Sequence, residues 1–262
     1  MVVTFEPEIN FDVDLALEPR PQAGDVNLQC EERHSDSPFV ERVWHSQSGG
    51  GGSFISTAES HWEMVVTRYR RRTVLTVRGP ETRATAAYCP PETEFMGIVF
   101  KLGAFMPRFP VELVMNRRDL NLPQAGRNSF WLDSSAWEFP RFENADVFVN
   151  RLVHEGLLVH DRLVDVALRE RPTSKSRRTV QRRFVKATGL TYNAVFQIRR
   201  ARYATNLLTK GVSILDAVHK AGYSDQPHMT RALKRFMGQT PGQIAGGESA
   251  RPMSFLFKTP PH

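Results

Sequence analysis

The sequence predicts an α+β protein of two domains, a β-rich N-terminal domain of sandwich or cupin-like type and an all-α C-terminal domain. The length of 262 residues suits two domains better than one. Short runs rich in Val, Thr, Ile and aromatic residues occupy the first half, whereas helical periodicity dominates the second. The charge divides in the same way: residues 1–160 carry 16 Lys+Arg against 22 Asp+Glu, and residues 161–262 carry 19 against 6.

This charge asymmetry indicates that the basic half meets a polyanion such as nucleic acid, the alternative being a solvated basic surface with no partner. The sequence contains no run of about 18 apolar residues, and its N-terminus is acidic where a signal peptide is basic. We therefore expect a cytoplasmic protein with no membrane contact. Cys30 and Cys89 lack metal-ligand or redox spacing, which favours a reducing compartment and no cofactor.

The order of these patterns predicts where the domains begin and end. Runs such as "TVLTVRG" and "EFMGIVFKL" are β-type and separated by Gly and Pro, whereas "ENADVFVNRLVHEGLLVHDRLVDVAL" is helical, with Gly156 as a candidate break. The predicted parts are a mobile arm (1–28), a β-rich sensing or dimerisation domain (29–130), a linker and helical connection (131–158), a DNA-binding domain (159–245) and a flexible tail (246–262).

The basic half contains an internal repeat with an offset of 49 residues. In this alignment Val180, Arg182, Phe184 and Gly189 correspond in order to Met229, Arg231, Leu233 and Gly238. Each unit has an apolar pair spaced i, i+4 and a glycine five residues later, where a helix can end with φ > 0. The repeat predicts two related helical units in tandem.

In the first unit, the stretch "SRRTVQRRF" predicts a helix that starts at an N-cap, Ser176. Val180 and Phe184 are expected to face inward. Helical spacing then places an outward stripe suited to reading bases, because arginine pairs with guanine and glutamine with adenine in the major groove. The base-reading candidates are Arg178, Gln181 and Arg182, and the phosphate-contacting candidates are Arg177 and Arg183.

The second unit, "SILDAVHKAGYSDQPHMTRALKRFMGQTP", predicts a helix, a turn at Gly222 and a second helix with Pro227 in its first turn. Its base-reading candidates are Gln226, His228 and Arg231, and its phosphate-contacting candidates are Lys234 and Arg235. Between the units, a helix over 192–210 is long enough to place two recognition helices in neighbouring grooves. A plain pair of helices with a solvated basic face is the alternative for either unit.

These residues resemble the AraC/XylS family of bacterial transcription regulators. The matching pieces are "SRRTVQRRF", "TGLT", Arg200 with Ala204 and the Leu207–Leu208 pair, and the second unit up to Pro241. The resemblance implies two helix-turn-helix motifs joined by a long helix, with the two outward stripes reading adjacent major grooves. The turn "RERPTSK" departs from the family pattern, because it is about three residues longer than usual and lacks a glycine.

The N-terminal half is similar, more loosely, to the sensory and dimerisation domains of such regulators. The resemblance implies double-stranded DNA and RNA polymerase as partners, a small-molecule effector, a homodimer and, most commonly, transcriptional activation. The candidate effector pocket consists of Trp62, Glu63, Arg68 and Tyr88, although alternating strands also produce such mixtures.

Two alternatives remain open for the first half. It could be a metal-dependent enzyme, with His34, His45, His61 and Glu63 as ligands, although their spacing is not that of a metal site. Alternatively, it only dimerises, and the chain is a constitutive DNA-binding protein without a ligand. The reading as a regulator predicts neither enzymatic activity nor a bound metal.

Overall fold

A computed structural model describes residues 28–116, 119–169, 171–246 and 252–254. The predicted arm, residues 1–28, lies outside the described residues except for Leu28. The strands are Leu28–Arg33 (β1), Val40–Ser48 (β2), Gly52–Ser56 (β3), Glu63–Tyr69 (β4), Arg72–Arg78 (β5), Thr85–Cys89 (β6), Thr93–Phe100 (β7), Ala104–Phe105 (β8), Leu120–Asn121 (β9), Gln124–Gly126 (β10), Ser129–Leu132 (β11), Ser135–Glu138 (β12) and Val159–His160 (β13). The α-helices are Ala145–His154 (α1), Arg162–Leu168 (α2), Arg177–Thr188 (α3), Tyr192–Thr209 (α4), Ile214–Lys220 (α5), Gln226–Met237 (α6) and Pro241–Ala245 (α7), and a 3-10 turn covers Val111–Leu113.

The β-rich part is an antiparallel sheet covered by a separate strand pair. The six-stranded sheet has the order β1-β2-β7-β4-β5-β9, and β3 pairs with β6 apart from it. The pairs β2–β7, β3–β6 and β4–β5 are therefore nested one inside the other. Nested antiparallel pairs of this kind form a jelly roll, which is the architecture of cupins. The predicted α+β organisation is confirmed, with most strands before residue 140 and the α-helices after it.

One face of this sheet carries the first hydrophobic core. Alternate residues of the strands point into it, and it includes the fully buried Met64, Val66, Leu75, Met96 and Ile98. The strands β11 and β12 and the helix α1 pack into the same core, through side chains such as Phe130, Trp137, Phe148 and Leu152. Residues 131–158, which the sequence predicted to be a linker and helical connection, thus belong structurally to the β-rich part. Local periodicity identified the helix but could not indicate which core it covers.

The second core lies among α2 to α7 and extends to the β-rich part. Phe184, Ile198 and Leu233 are buried in it, together with Ile55 and Ala58 from the chain segment that begins in β3. Within the described ranges, no helix is long and apolar enough to cross a membrane.

The chain segment 252–254 corrects part of the prediction for the tail, residues 246–262. Met253 is fully buried in the second core and pairs in parallel with Ile55. The backbone N–H of Ile55 donates to the Pro252 carbonyl (2.8 Å), and that of Ser254 donates to the Ile55 carbonyl (2.8 Å). An apolar side chain and two backbone hydrogen bonds hold this segment, so these three residues are not loosely attached.

Candidate nucleic-acid interface

The first recognition helix, α3, has the caps and the buried face that its sequence predicts. Ser176 Oγ accepts a hydrogen bond from the Thr179 N–H (3.2 Å), which supplies the N-cap. Gly189 ends the helix with φ 70°, a conformation that glycine adopts without a Cβ penalty. Phe184 is buried, while Val180 is only partly buried. Phe184 is therefore the main anchor of α3.

The polar face of α3 points away from this anchor. Arg178, Gln181 and Arg182 are all exposed, as is Arg177 at the start of the helix. Arg183 differs, because its Nε donates to Asp161 Oδ2 at 2.6 Å. Asp161 is buried and caps α2 by accepting from the Leu163 N–H (3.0 Å). Arg183 thus links α3 to the start of α2. The sequence predicted a phosphate contact for this residue and not this ion pair.

The second recognition helix, α6, is built in the same way. Asp225 Oδ1 accepts from the His228 N–H at 2.7 Å, and Gly238 ends the helix with φ 75°. The His228 N–H and the Ser224 hydroxyl, which both donate to the Asp225 carboxylate, hold its pKa below the ordinary value. The opposite side of α6 is buried in the second core through Met229, Leu233 and Phe236.

Most of the predicted DNA-contacting side chains of α6 lie on its exposed side. Gln226, Arg231, Lys234 and Arg235 are exposed. The exposed side of α6 therefore carries three cations and an amide, while its opposite side is apolar. An arrangement of this kind can present donors to base edges and phosphates without disturbing the core.

His228 is the exception among the predicted base readers. Its ring is partly buried, with Nδ1 3.1 Å from Ser224 Oγ and Nε2 3.3 Å from Arg200 Nη2. Arg200 also donates to the Gly222 carbonyl (3.2 Å) and lies 4.1 Å from the centre of the Tyr223 ring. Arg200 and Tyr223 thus support the turn before α6. Sequence reasoning gave neither a role, although the spacing of Arg200 from the Leu207–Leu208 pair was a signal.

The linking helix and the two turns set the relation between the motifs. The helix α4 runs for 18 residues, about 27 Å at about 1.5 Å per residue. Residues 169–176 connect α2 to α3, whereas the shorter stretch 221–225 connects α5 to α6. The first connection is therefore three residues longer than the second.

The four residues of the predicted effector pocket do not come together. Glu63 and Tyr88 line a cavity of about 150 Å³ between the large sheet and the β3–β6 pair. Trp62 is buried in the first core instead, and Arg68 donates to Glu94 Oε1 at 2.7 Å. The physical reason is strand alternation: Glu63 lies on the cavity side of β4, so its even-numbered neighbours face the other way.

Sequence reasoning missed most of the cavity wall. Aromatic side chains, carboxylates and two arginines from separate strands and from α4 surround it. These residues include Trp44, Phe54, Glu59, Arg78, Glu81, Phe95, Asp119, Arg202 and Ser254. They are far apart in the sequence, so no local motif signals them.

Two histidines of the metal-enzyme alternative, His45 and His61, contact different carboxylates. His45 Nε2 lies 3.1 Å from Glu94, and His61 Nδ1 lies 2.6 Å from Glu59 Oε1. Among the described residues, no group of three or more His, Cys, Asp or Glu side chains is arranged to hold a metal ion.

Comparison with known proteins agrees with this geometry. A family described as a helix-turn-helix domain matches residues 171–246. The HTH-type transcriptional regulator RipA of Corynebacterium glutamicum is 34% identical over an alignment of 82 residues, and the match covers 29% of this chain and 25% of RipA. The chain thus covers only a quarter of that relative's length. No solved structure matches the chain.

The fold and the two capped helices with exposed polar faces define a helix-turn-helix DNA-binding domain. More specifically, residues 171–246 are similar to AraC-type helix-turn-helix domains, which is the resemblance that the motifs indicated.

Proposed function

We propose that this protein is a sequence-specific transcription regulator that inserts α3 and α6 into adjacent major grooves of double-stranded DNA. The observation that carries the proposal is that the two helices share the same division into a buried and an exposed face. Each buries an apolar face and exposes a face of arginine and glutamine, the side chains that pair best with guanine and adenine. The proposed base readers are Arg178, Gln181, Arg182, Gln226, His228 and Arg231.

Phosphate contacts supply the remaining affinity. Arg177, Lys234 and Arg235 are exposed beside the reading faces, and Arg183 contributes only the part of its guanidinium that Asp161 leaves open. Successive major grooves on one side of B-DNA repeat at about 34 Å, a distance comparable to the length of α4. Each neutralised phosphate makes binding more salt-dependent.

The first experiment is selection of bound sequences from random DNA with the full chain, followed by hydroxyl-radical footprinting of the strongest site. We expect two protected stretches on one face of the duplex, about one helical turn apart. A single protected stretch would contradict the use of both motifs. A chain that retains no DNA above an unrelated basic protein would refute the proposal altogether.

We further propose that the 150 Å³ cavity is the site of a small effector. It combines aromatic rings with a few converging polar groups, as ligand pockets do. Because Arg202 of α4 lies in its wall, a ligand there would touch the DNA-binding domain directly. A ligand that binds the native state raises thermal stability. A panel of small molecules should therefore yield a thermal shift that Glu63→Gln reduces and Asp133→Asn, at an exposed site away from the cavity wall, does not.

Two rival functions make different predictions. A constitutive DNA-binding protein gives no thermal shift with any ligand, and a metal-dependent enzyme holds a stoichiometric metal after purification. We propose that the protein is a regulator and not an enzyme. The proposed protein partners are RNA polymerase and a second copy of the chain. We expect the regulator to act in the cytoplasm and to activate transcription.

A further inference from the structure

The β-rich part contacts the C-terminal end of the second recognition helix. A helix leaves its last carbonyl groups without partners inside the helix. Here the carbonyl of Arg235 accepts from the Ala84 N–H at 2.9 Å, and that of Phe236 accepts from the Ala58 N–H at 2.8 Å. Both donors lie in the β-rich part, so backbone hydrogen bonds between the two domains fix the end of α6.

Both recognition helices end against the same domain. A Cβ atom at Gly238, just after α6, would lie 2.9 Å from Ile55 Cγ2. A Cβ atom at Gly189, just after α3, would lie 2.5 Å from Val111 Cγ2. Contacts this close leave no room for a side chain. The β-rich part therefore packs directly on the caps of α3 and α6.

An ion cluster joins this domain to the linking helix as well. Glu59 Oε2 accepts from Arg202 of α4 and lies 3.9 Å from Arg42 Nη2, while Glu59 Oε1 lies 2.6 Å from His61 Nδ1. The Glu59 and Arg202 side chains are only 16% and 17% exposed. Since partly buried charges are weakly screened, this carboxylate is a strong point of attachment. The β-rich part thus contacts α3, α4 and α6.

This docking leaves the reading faces open. The proposed base readers Arg182 and Arg231 are exposed in the same structure in which Glu59 holds Arg202. The docked β-rich part therefore does not cover these two side chains. What it constrains is the position of the two motifs relative to each other. Two linked binding units gain affinity together when their geometry is fixed in advance.

We propose that the β-rich domain fixes the two recognition helices in the relative placement that a two-part DNA site requires, with Glu59 as the positioning residue at its contact with α4. This inference rests on the proposed DNA-binding function. It assigns to the N-terminal domain a role in DNA reading that requires no bound effector and no dimer, although Glu59 and Arg202 also line the cavity.

The test compares the full chain with Glu59→Gln on two DNA probes, the selected two-part site and the same duplex with the α3 half randomised. We expect the variant to lose about tenfold in affinity for the two-part site. We expect no change on the half-site probe, because α6 alone contacts it. Asp133→Asn, which removes the exposed Arg108–Asp133 pair (3.3 Å), is the matched control and should behave as wild type on both probes.

Three results would overturn the proposal: equal losses on both probes, unchanged affinity on both, or tighter binding by Glu59→Gln, which would mean that docking inhibits. Arg202→Lys keeps a positive charge opposite Glu59 and should retain most of the two-part affinity, and unchanged half-site binding by Glu59→Gln separates a local role of Glu59 from general misfolding. Absence of wild-type binding to any DNA would instead count against the proposed function itself.

Discussion

Alanine substitution at Gly238 tests the contact between the β-rich domain and α6. Gly238 and Gly211 both follow helices in the left-handed conformation, with φ 75° and 81°. An added Cβ at Gly238 would lie 2.9 Å from Ile55 Cγ2 and 3.2 Å from Ala84 Cβ, whereas at Gly211 it would meet nothing within 4 Å. Gly211→Ala is therefore the matched control, because it introduces the backbone strain without the contact.

The expected magnitudes follow from these distances. A non-glycine residue in the left-handed region costs about 1–2 kcal/mol, and both variants share that cost. Forcing an extra carbon into a packed contact adds about 1–3 kcal/mol. We expect Gly238→Ala to lower the free energy of unfolding by about 2–5 kcal/mol and Gly211→Ala by about 1–2 kcal/mol.

Urea denaturation of the full chain, followed by tryptophan fluorescence and far-UV circular dichroism, measures the difference. The four tryptophans lie in the β-rich part of the chain, at or before Trp137, and most of the helices follow it, so the two signals report the two parts separately. If Gly238→Ala proves no more destabilising than Gly211→Ala, the β-rich domain does not pack on α6 in solution.

Three further predictions concern single side chains. Phe184→Ala should lower the free energy of unfolding of the helical part by about 3–5 kcal/mol, since this ring is 2% exposed; a loss below about 1 kcal/mol in chemical denaturation would contradict its role as the anchor of α3. Lys234→Ala should weaken all DNA sequences alike and lower the slope of log affinity against log salt by about 1; an unchanged slope would exclude a phosphate contact. Burial raises the pKa of Glu59, but Arg202, His61 and Arg42 more than offset this effect and hold that pKa well below its usual value. Wild type should therefore exceed Glu59→Gln in stability above about pH 5, with the difference shrinking as the pH falls below about 4.3; a difference independent of pH would mean that the charge of Glu59 contributes nothing.

The sequence predicted the interior of each helix-turn-helix unit because its signals there are local. Spacing of three and four residues placed Phe184 and Met229 inside, and the repeat located the two terminal glycines at Gly189 and Gly238. The length of the first turn also followed from counting residues. Such features depend on neighbours within a few helical turns, which a single sequence displays.

Contacts between distant segments could not be predicted in this way. Glu59 and Arg202 are 143 residues apart, and nothing near either residue indicates the other. Met253 lies in a Gly- and Pro-rich tail, yet it is buried in the second core beside its bridge partner Ile55. His228 was predicted to face outward from α6, but its ring is partly buried and contacts side chains from the turn and from α4. Tertiary packing determines the environment of each of these side chains.

In the proposed complex, α3 and α6 each read bases in their own major groove. The most direct test measures the affinity of wild type, Arg182→Ala and Arg231→Ala for the selected site and for all its single-base variants. We predict that each substitution costs about 1–3 kcal/mol and relaxes discrimination at one base position, with the two positions about one helical turn apart. If both substitutions instead weaken every sequence equally, the two arginines contact only the DNA backbone and the account is wrong.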